Sequence, residues 1–211
     1  MMSTIKNLEW RYATKKFDST KKLDDSQIDT LKKSFNLTAT SYGLQPLKML
    51  VISNDDLKKQ LFEYSYNQAQ VADCSHLLVL CIKTNVDGIY VDDKFDLEKE
   101  IRGVKEENIS GFRNFLKDTI NNKSSDEIET SAVYQAYIAL GNLMTVCAFE
   151  RIDSCPMEGF NPQKFDEILN LKEQQLKSVL LLPVGFRAKD DFMSKLEKVR
   201  FSVEESVIEI K

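Results

Sequence analysis

Three stretches of the chain are almost wholly apolar and are bounded by polar residues. HLLVLCI (76–82) and SVLLLPVGF (178–186) show no alternation, which is typical of strands buried on both faces of a sheet. LKMLVIS (47–53) follows a proline and predicts a third strand. The tail SVIEIK (206–211) alternates apolar and polar residues, so it predicts an edge strand that needs a sheet to join.

Between the strands, apolar residues recur at helical spacing behind helix-starting residues. A polar helix is predicted over about 55–66, and one or two exposed helices over 93–122. The predicted helix starts are Asp24 and Asp25, Ser124 with Glu127 in capping-box spacing, and Asn161 before Pro162. Strands and helices mixed in this order predict a single α+β domain over residues 1–211, with a central sheet flanked by helices.

The stretch from Ala132 to Phe149 is apolar almost all round rather than along one stripe. Such a helix is buried on most of its sides. In a chain of 211 residues, we expect part of this helix's apolar surface to be covered by another subunit rather than by its own chain.

Composition narrows the class of protein. Hydrophobic residues make up 42% and charged residues 29%, and the formal net charge is -4. This balance argues against a nucleic-acid binder, because phosphate backbones select basic faces. The apolar runs are shorter than the roughly 20 residues that span a bilayer, so the sequence predicts a soluble, cytoplasmic protein without membrane or nucleic-acid partners.

Metal and nucleophile chemistry find little support in the sequence. The four cysteines, Cys74, Cys81, Cys147 and Cys155, form no CxxC pair and lie in or beside apolar segments. They are expected to be buried thiols in a reducing compartment. His76 is the only histidine, and we interpret it as a hydrogen-bonded structural imidazole at the start of a strand. No metal site or hydrolytic triad is predicted.

Two basic stretches at opposite ends of the chain are candidates for anion binding. WRYATKKFD (10–18) contains Arg11, Lys15 and Lys16, and the later stretch KVR contains Lys198 and Arg200. A guanidinium and an ammonium on one face suit a phosphate monoester. Each stretch by itself is equally compatible with a solvated surface.

Six segments, taken in order, resemble the FMN-dependent nitroreductase family: WRYATKKFD, LQPLKMLVIS, NQAQVADCSH, CPMEGF, LLLPVGF and KVR. They are most similar to the oxygen-insensitive NAD(P)H nitroreductase and dihydropteridine reductase subgroup, from about Leu8 to the C-terminal strand. The resemblance implies a mostly antiparallel sheet in an intertwined homodimer, with the C-terminal strand joining the partner sheet. It also implies FMN as bound cofactor, at sites built across the interface, and NADH or NADPH as co-substrate.

The resemblance assigns roles to individual residues. Arg11, Lys198 and Arg200 would hold the FMN phosphate, Lys15 the N1–C2=O edge of the ring, and Asn67 its pyrimidine side, while Lys16 is expected to be solvated. Two positions depart from the family: Ala13 replaces a serine, whose phosphate contact Tyr12 or Thr14 would have to supply, and Gln70 replaces a lysine. The remaining implied contacts are Pro156, Met157, Glu158 and Gly159 across the ring, Ser41, Tyr42 and Gly43 from the second subunit, and Tyr42, Phe112 and Phe115 in the substrate pocket, with helix packing as the alternative for both phenylalanines.

The function implied is an FMN-dependent NAD(P)H oxidoreductase that reduces nitroaromatics, quinones or similar flat acceptors by a ping-pong hydride mechanism. No catalytic side chain is required, because the flavin carries the chemistry. Three alternatives stay open: another flavin reaction on the same fold, such as enoate reduction, dehalogenation or flavin cleavage; a flavin-binding carrier or sensor without turnover; and a chain that has lost its cofactor.

Overall fold

The computed structural model describes residues 3–211, and its centre is one antiparallel sheet. The four strands follow the order β1–β2–β4–β3 across the sheet, and every neighbouring pair is antiparallel. Their bounds are β1 Leu47–Ile52, β2 His76–Lys83, β3 Asp153–Ser154 and β4 Leu176–Gly185. The three strands predicted from apolar runs are therefore present close to their predicted bounds.

Helices cover both faces of the sheet. Their bounds are α1 Thr4–Trp10, α2 Asp25–Asn36, α3 Asp55–Glu63, α4 Ala69–Asp73, α5 Gly88–Arg102, α6 Glu106–Asn121, α7 Ser125–Phe149, α8 Pro162–Ile168 and α9 Val203–Ser206. The predicted caps are confirmed: Asp24, Ser124 and Asn161 each accept a hydrogen bond from the first turn of their helix. The predicted exposed region is two helices, which separate at Gly103 because its left-handed backbone (φ 63°) ends α5.

Strand β2 is buried on both faces, as its unbroken apolar run predicts. Leu78, Leu80 and Ile82 face a core that α2 and α7 complete, and the intervening residues face a second core with α3, α4 and α8. Helices α5 and α6 pack on each other around a small core of their own. This arrangement confirms the α+β class with a central antiparallel sheet.

Helix α7 buries only one side in this chain. Ala136, Ala139 and Leu143 are fully buried, whereas Tyr134 and Ile138 on the other side are more than half exposed. By length and composition α7 is the one helix within residues 3–211 that is apolar enough to cross a membrane. Its buried side completes the sheet core, so its apolarity already has a structural role in the fold.

The predicted C-terminal strand does not form within the single chain. Ser202 and Glu205 make a capping box that starts α9, which ends at Ser206, and the residues after it are extended without a strand partner in the described chain. Ile208 and Ile210 are 87% and 94% exposed. An isolated strand has no stability without a sheet edge, which explains the difference.

Candidate functional site

The first basic stretch is held against the edge of the sheet. Helix α1 ends at Trp10, and Arg11 is already extended. Ala13 then lies parallel to Ser154 of β3, and the Thr14 N–H donates to the Ser154 carbonyl at 3.2 Å. The stretch therefore acts as a short additional strand, which fixes the directions of its side chains.

Stacked cations fix the start of this stretch. The Trp10 ring lies between two guanidinium groups, with Arg151 at 4.6 Å and Arg187 at 4.4 Å from its centre. Arg187 also stacks on Tyr12 at 4.5 Å and donates from Nε to the buried Asp153 carboxylate at 2.6 Å. Arg187 was not singled out from the sequence, since a lone arginine after a strand carries no signal.

Asp191 is a second residue that sequence reasoning missed. Its side chain is 1% exposed and accepts hydrogen bonds from the Tyr12 hydroxyl and the Lys15 N–H, both at 2.9 Å. Burial, and then the bond to Asp191, raise the pKa of Tyr12. Lys16 is exposed, as expected, and pairs with the neighbouring Asp190.

The predicted phosphate-binding cations influence one another electrostatically. The pKa of Lys198 is lowered by partial burial and then by the charges of Arg11, Arg200 and Arg187. Within residues 3–211, the buried Nε of Arg11 has no hydrogen-bond partner, and one terminal nitrogen is 3.9 Å from the sulfur of Met144. A group of cations that repel one another around an unsatisfied guanidinium fits an anion such as the FMN phosphate.

The segment around Asn67 and the loop after β3 are joined directly. The Gln68 side-chain amide donates to the Gly159 carbonyl at 2.8 Å and to the Ser65 carbonyl at 3.0 Å. Asn67 is exposed and has a left-handed backbone (φ 53°), which asparagine tolerates better than most residues. The two segments implied for the flavin ring thus form one continuous surface.

Loop 155–159 presents both side chains and backbone. Met157 is 5% exposed and exchanges two backbone hydrogen bonds with Leu181, so its side chain packs in the core, whereas Pro156 is half-buried. In the described part of the chain, the N–H groups of Glu158 and Gly159 donate to no protein acceptor. Free donors of this kind suit the N5 side of a flavin.

Gln70 and Lys15 both approach the Cys155 thiol beneath this surface. Gln70 is 7% exposed. Burial raises the pKa of Cys155, and Lys15 and a hydrogen bond from Gln70 oppose that rise. Gln70, which the resemblance implies as a flavin contact, is thus enclosed, and it acts on the same thiol as Lys15, the residue implied for the ring edge.

A second group of predicted residues lies elsewhere in the chain. The Ser41 N–H donates to the Gln135 side chain at 2.8 Å, and the Tyr42 ring is 6.2 Å from Phe112, centre to centre. Phe112 stacks on Phe115 at 6.1 Å, and all three rings are about half exposed. The turn that carries them has positive φ at Tyr42 (55°) and Gly43 (65°).

The two groups do not contact each other within the described chain. The Arg11 group contacts α7 at Met144 and the Ser41 turn contacts it at Gln135, about 13 Å apart along the helix. Within residues 3–211, no hydrogen bond, ion pair or ring contact connects them. In the same range, no cluster of three metal-ligating side chains occurs.

The chain is similar to known proteins over nearly its whole length. The family model described as Nitroreductase family matches residues 8–186. The oxygen-insensitive NAD(P)H nitroreductase of Salmonella typhimurium is 30% identical over 210 residues, 95% of this chain and 96% of that protein. The major NAD(P)H-flavin oxidoreductase of Aliivibrio fischeri is 29% identical over 214 residues, 96% of each.

A solved structure shows the same fold. The Exiguobacterium sibiricum protein crystallised with FMN, described as a nitroreductase, has a TM-score of 0.85, with 17% identity over all of this chain and 98% of its own. The predicted fold and class of enzyme, an NAD(P)H-dependent flavin oxidoreductase, are confirmed by these matches. The family model and the full-length relatives together establish that this chain belongs to the nitroreductase family.

Proposed function

We propose that the protein is an FMN-dependent NAD(P)H oxidoreductase that reduces nitroaromatics, quinones or similar flat acceptors in a ping-pong cycle. The observation that carries the proposal is that Arg11 acts electrostatically on Lys198, which lies 187 positions later in the chain and two positions before Arg200. Bound FMN would supply the hydride chemistry, taking hydride from NADH or NADPH and passing it to the acceptor.

The protein's own groups bind and orient the flavin in this proposal. Arg11, Lys198 and Arg200 bind the phosphate, each at roughly 1.5–3 kcal/mol for a charge-assisted hydrogen bond. Lys15 keeps a positive charge at the ring edge where reduction places negative charge. The N–H groups of Glu158 and Gly159, which have no protein acceptor in the described chain, would lie toward the N5 side, and Asn67 would contact the pyrimidine side.

The proposal includes a homodimer whose sites are shared between chains. Ser41, Tyr42 and Gly43, with Phe112 and Phe115 beside them, would reach the partner's flavin, because they lie apart from the Arg11 group in their own chain. The exposed apolar side of α7 supports such an interface. In this arrangement Phe112 and Phe115 of α6 line the acceptor pocket, and Phe112 also packs against Phe95 of α5.

A groove along the free edge of β1 suits the partner's tail. Its cavity volume is about 750 Å³. It is lined by the apolar β1 residues Leu47, Met49 and Val51 and by four lysines, Lys32, Lys48, Lys83 and Lys94. The C-terminal residues 203–211 combine four apolar residues with Glu204, Glu205 and Glu209. Apolar contact, unpaired strand groups and opposite charge therefore complement one another.

Buried thiols agree with a cytoplasmic location, which we include in the proposal. Burial raises the pKa of Cys74, Cys81 and Cys147 to about 12, so these thiols are unreactive. All four cysteines are unpaired. Structural thiols without disulfides are typical of a reducing compartment.

The test of the function is spectroscopic. The purified protein, loaded with FMN, is mixed anaerobically with NADH or NADPH and then with menadione or a nitrofuran. Bleaching of the flavin absorption by a nucleotide, followed by recovery on adding the acceptor, is expected. Flavin that neither nucleotide bleaches would favour a carrier or sensor, and a chain that takes up no FMN would show that the site has been lost.

Gln70 is expected to set the flavin potential below that of lysine-bearing relatives. An amide donates a hydrogen bond but does not neutralise the charge of the reduced ring, so Gln70→Lys should raise the midpoint potential by about 30 mV, equivalent to ~1.4 kcal/mol for two electrons. Lys15→Met is the matched change of opposite sign and should lower it. A redox titration in which Gln70→Lys leaves the potential unchanged or lowers it would contradict this account.

A further inference from the structure

The Asp191 carboxylate accepts four hydrogen bonds although it is 1% exposed. Three donors lie in the first basic stretch: the Tyr12 hydroxyl at 2.9 Å, the Lys15 N–H at 2.9 Å and the Lys16 N–H at 3.2 Å. The fourth is the Met193 N–H at 3.1 Å, which begins the short 3-10 turn Phe192–Lys195. One carboxylate therefore joins two segments about 175 residues apart in the sequence.

The C-terminal stretch has few other connections. Within the described chain, the hydrogen bonds of residues 192–211 run only to near neighbours in sequence. Among the described residues, the bonds of Asp191 are thus the last hydrogen-bonded link between the body of the fold and the stretch that carries Lys198 and Arg200. Arg11 and Lys15 lie on the other side of the same connection.

We propose that Asp191 is a positioning residue for the flavin site, which holds Arg11 and Lys15 in register with Lys198 and Arg200. This inference rests on the proposed function, because it assigns those four cations to one FMN. Asp191 does not touch the cofactor in this proposal; it acts through the backbone and through Tyr12.

Because Asp191 is negatively charged, a positioning role and a purely electrostatic role predict opposite changes in FMN affinity when it is neutralised. A carboxylate near a phosphate site weakens the positive potential there, so its field alone opposes FMN binding. Neutralising it should tighten FMN binding if the field is its only influence. If positioning dominates, the same change weakens FMN binding. The asparagine amide would present its own N–H groups to donors that the carboxylate accepts from, and losing those hydrogen bonds would release the first basic stretch.

The experiment compares Asp191→Asn with Asp190→Asn. Asp190 is an exposed neighbour that pairs only with Lys16 in the described chain, so its variant removes the same charge without the four bonds. Dissociation constants are measured for FMN and for riboflavin, which lacks the phosphate. We expect Asp191→Asn to weaken FMN at least about tenfold and riboflavin by a smaller factor, because riboflavin loses only the Lys15 contact, with Asp190→Asn within about twofold for both.

Further measurements separate positioning from general damage. Tyr12→Phe keeps the carboxylate and three of its bonds, and should fold and show a smaller loss of FMN affinity in the same direction. The flavin potential of Asp191→Asn should fall, since Lys15 is no longer held at the ring edge, whereas loss of a negative field alone would raise it. Tighter FMN binding, a raised potential, or equal losses for FMN and riboflavin would overturn the proposal.

Failure of the proposed function is distinguishable from failure of this inference. If the unmodified protein does not bind FMN more tightly than riboflavin, the assignment of the cation cluster to the phosphate is wrong. If it does, and Asp191→Asn leaves that preference intact, only the positioning role of Asp191 is wrong.

Discussion

Replacing both Lys198 and Arg200 with methionine is expected to weaken FMN binding by roughly 100-fold or more, because two charge-assisted bonds to the phosphate are lost. Riboflavin binding should change little, so the preference for FMN disappears. Lys195→Met is the matched control: it is an exposed lysine of the same stretch and is not among the charges that act on Lys198. Fluorescence titration with both flavins measures the result, and a variant that still prefers FMN would exclude these residues from the phosphate site.

The repulsion among Arg11, Lys198 and Arg200 predicts that the charge of Lys198 lowers the stability of the FMN-free protein while it strengthens FMN binding. The pKa of Lys198 is lowered in the folded chain, so just below its ordinary pKa the unfolded chain binds more protons than the folded one. Stability of the FMN-free protein should therefore rise with pH through that window, while FMN affinity falls as Lys198 loses its charge. Lys198→Met should raise the melting temperature of the FMN-free protein at neutral pH and remove both pH dependences. A lower melting temperature would contradict the repulsion inferred among these cations.

Deleting residues 203–211 is expected to leave a monomer that retains no FMN. The deletion removes Val207, Ile208 and Ile210, which are 57%, 87% and 94% exposed in the single chain, and with them the strand proposed for the β1 groove. Because the flavin site needs the partner's Ser41 turn, losing the dimer should also empty the site. Sedimentation equilibrium and the flavin-to-protein absorbance ratio measure the two effects.

Two further variants test how the tail binds. Removal of Lys211 alone is the control and should leave a flavin-bearing dimer. Glu209→Lys keeps the length of the tail but places a positive charge toward a groove lined by four lysines, so it should weaken dimerisation, most strongly at low salt. A truncated chain that stays dimeric and yellow would show that the tail lies elsewhere.

Local patterns predicted the elements because their causes are local. The unbroken apolar run of β2 and the capping residues Asp24 and Ser124 act through neighbours within a few positions. The two helices between 88 and 121 were harder to delimit, because Gly103 ends one of them through a backbone angle that apolar spacing does not report. The C-terminal strand was predicted from alternation, but alternation specifies only what a segment would do beside a free sheet edge.

The candidate site also contains residues that local sequence patterns predicted and residues that they missed. The order of the basic and Pro-Met-Glu-Gly segments was enough to indicate the family and the cation set, since those residue types suit a phosphate and a flavin ring wherever they meet. Asp191 and Arg187 were missed: one acidic residue in KDDF and one arginine after a strand look like ordinary surface residues in the sequence. Their burial or stacking depends on the stretch 11–16 packing beside β3 and β4, a contact between distant parts of the chain.

By itself, then, the sequence determined the strands and helices, the α+β class, the family and the residue types available for a flavin, because periodicity, caps and motif order are written in short segments. Only the tertiary structure decided that Arg11, Lys198 and Arg200 share one region, that Asp191 joins the two segments bearing them, and that the Ser41 turn lies apart from them in its own chain. The physical reason is that these relations follow from the antiparallel register of β4 with its neighbours and from the packing of α7, which bring together residues that no local pattern connects.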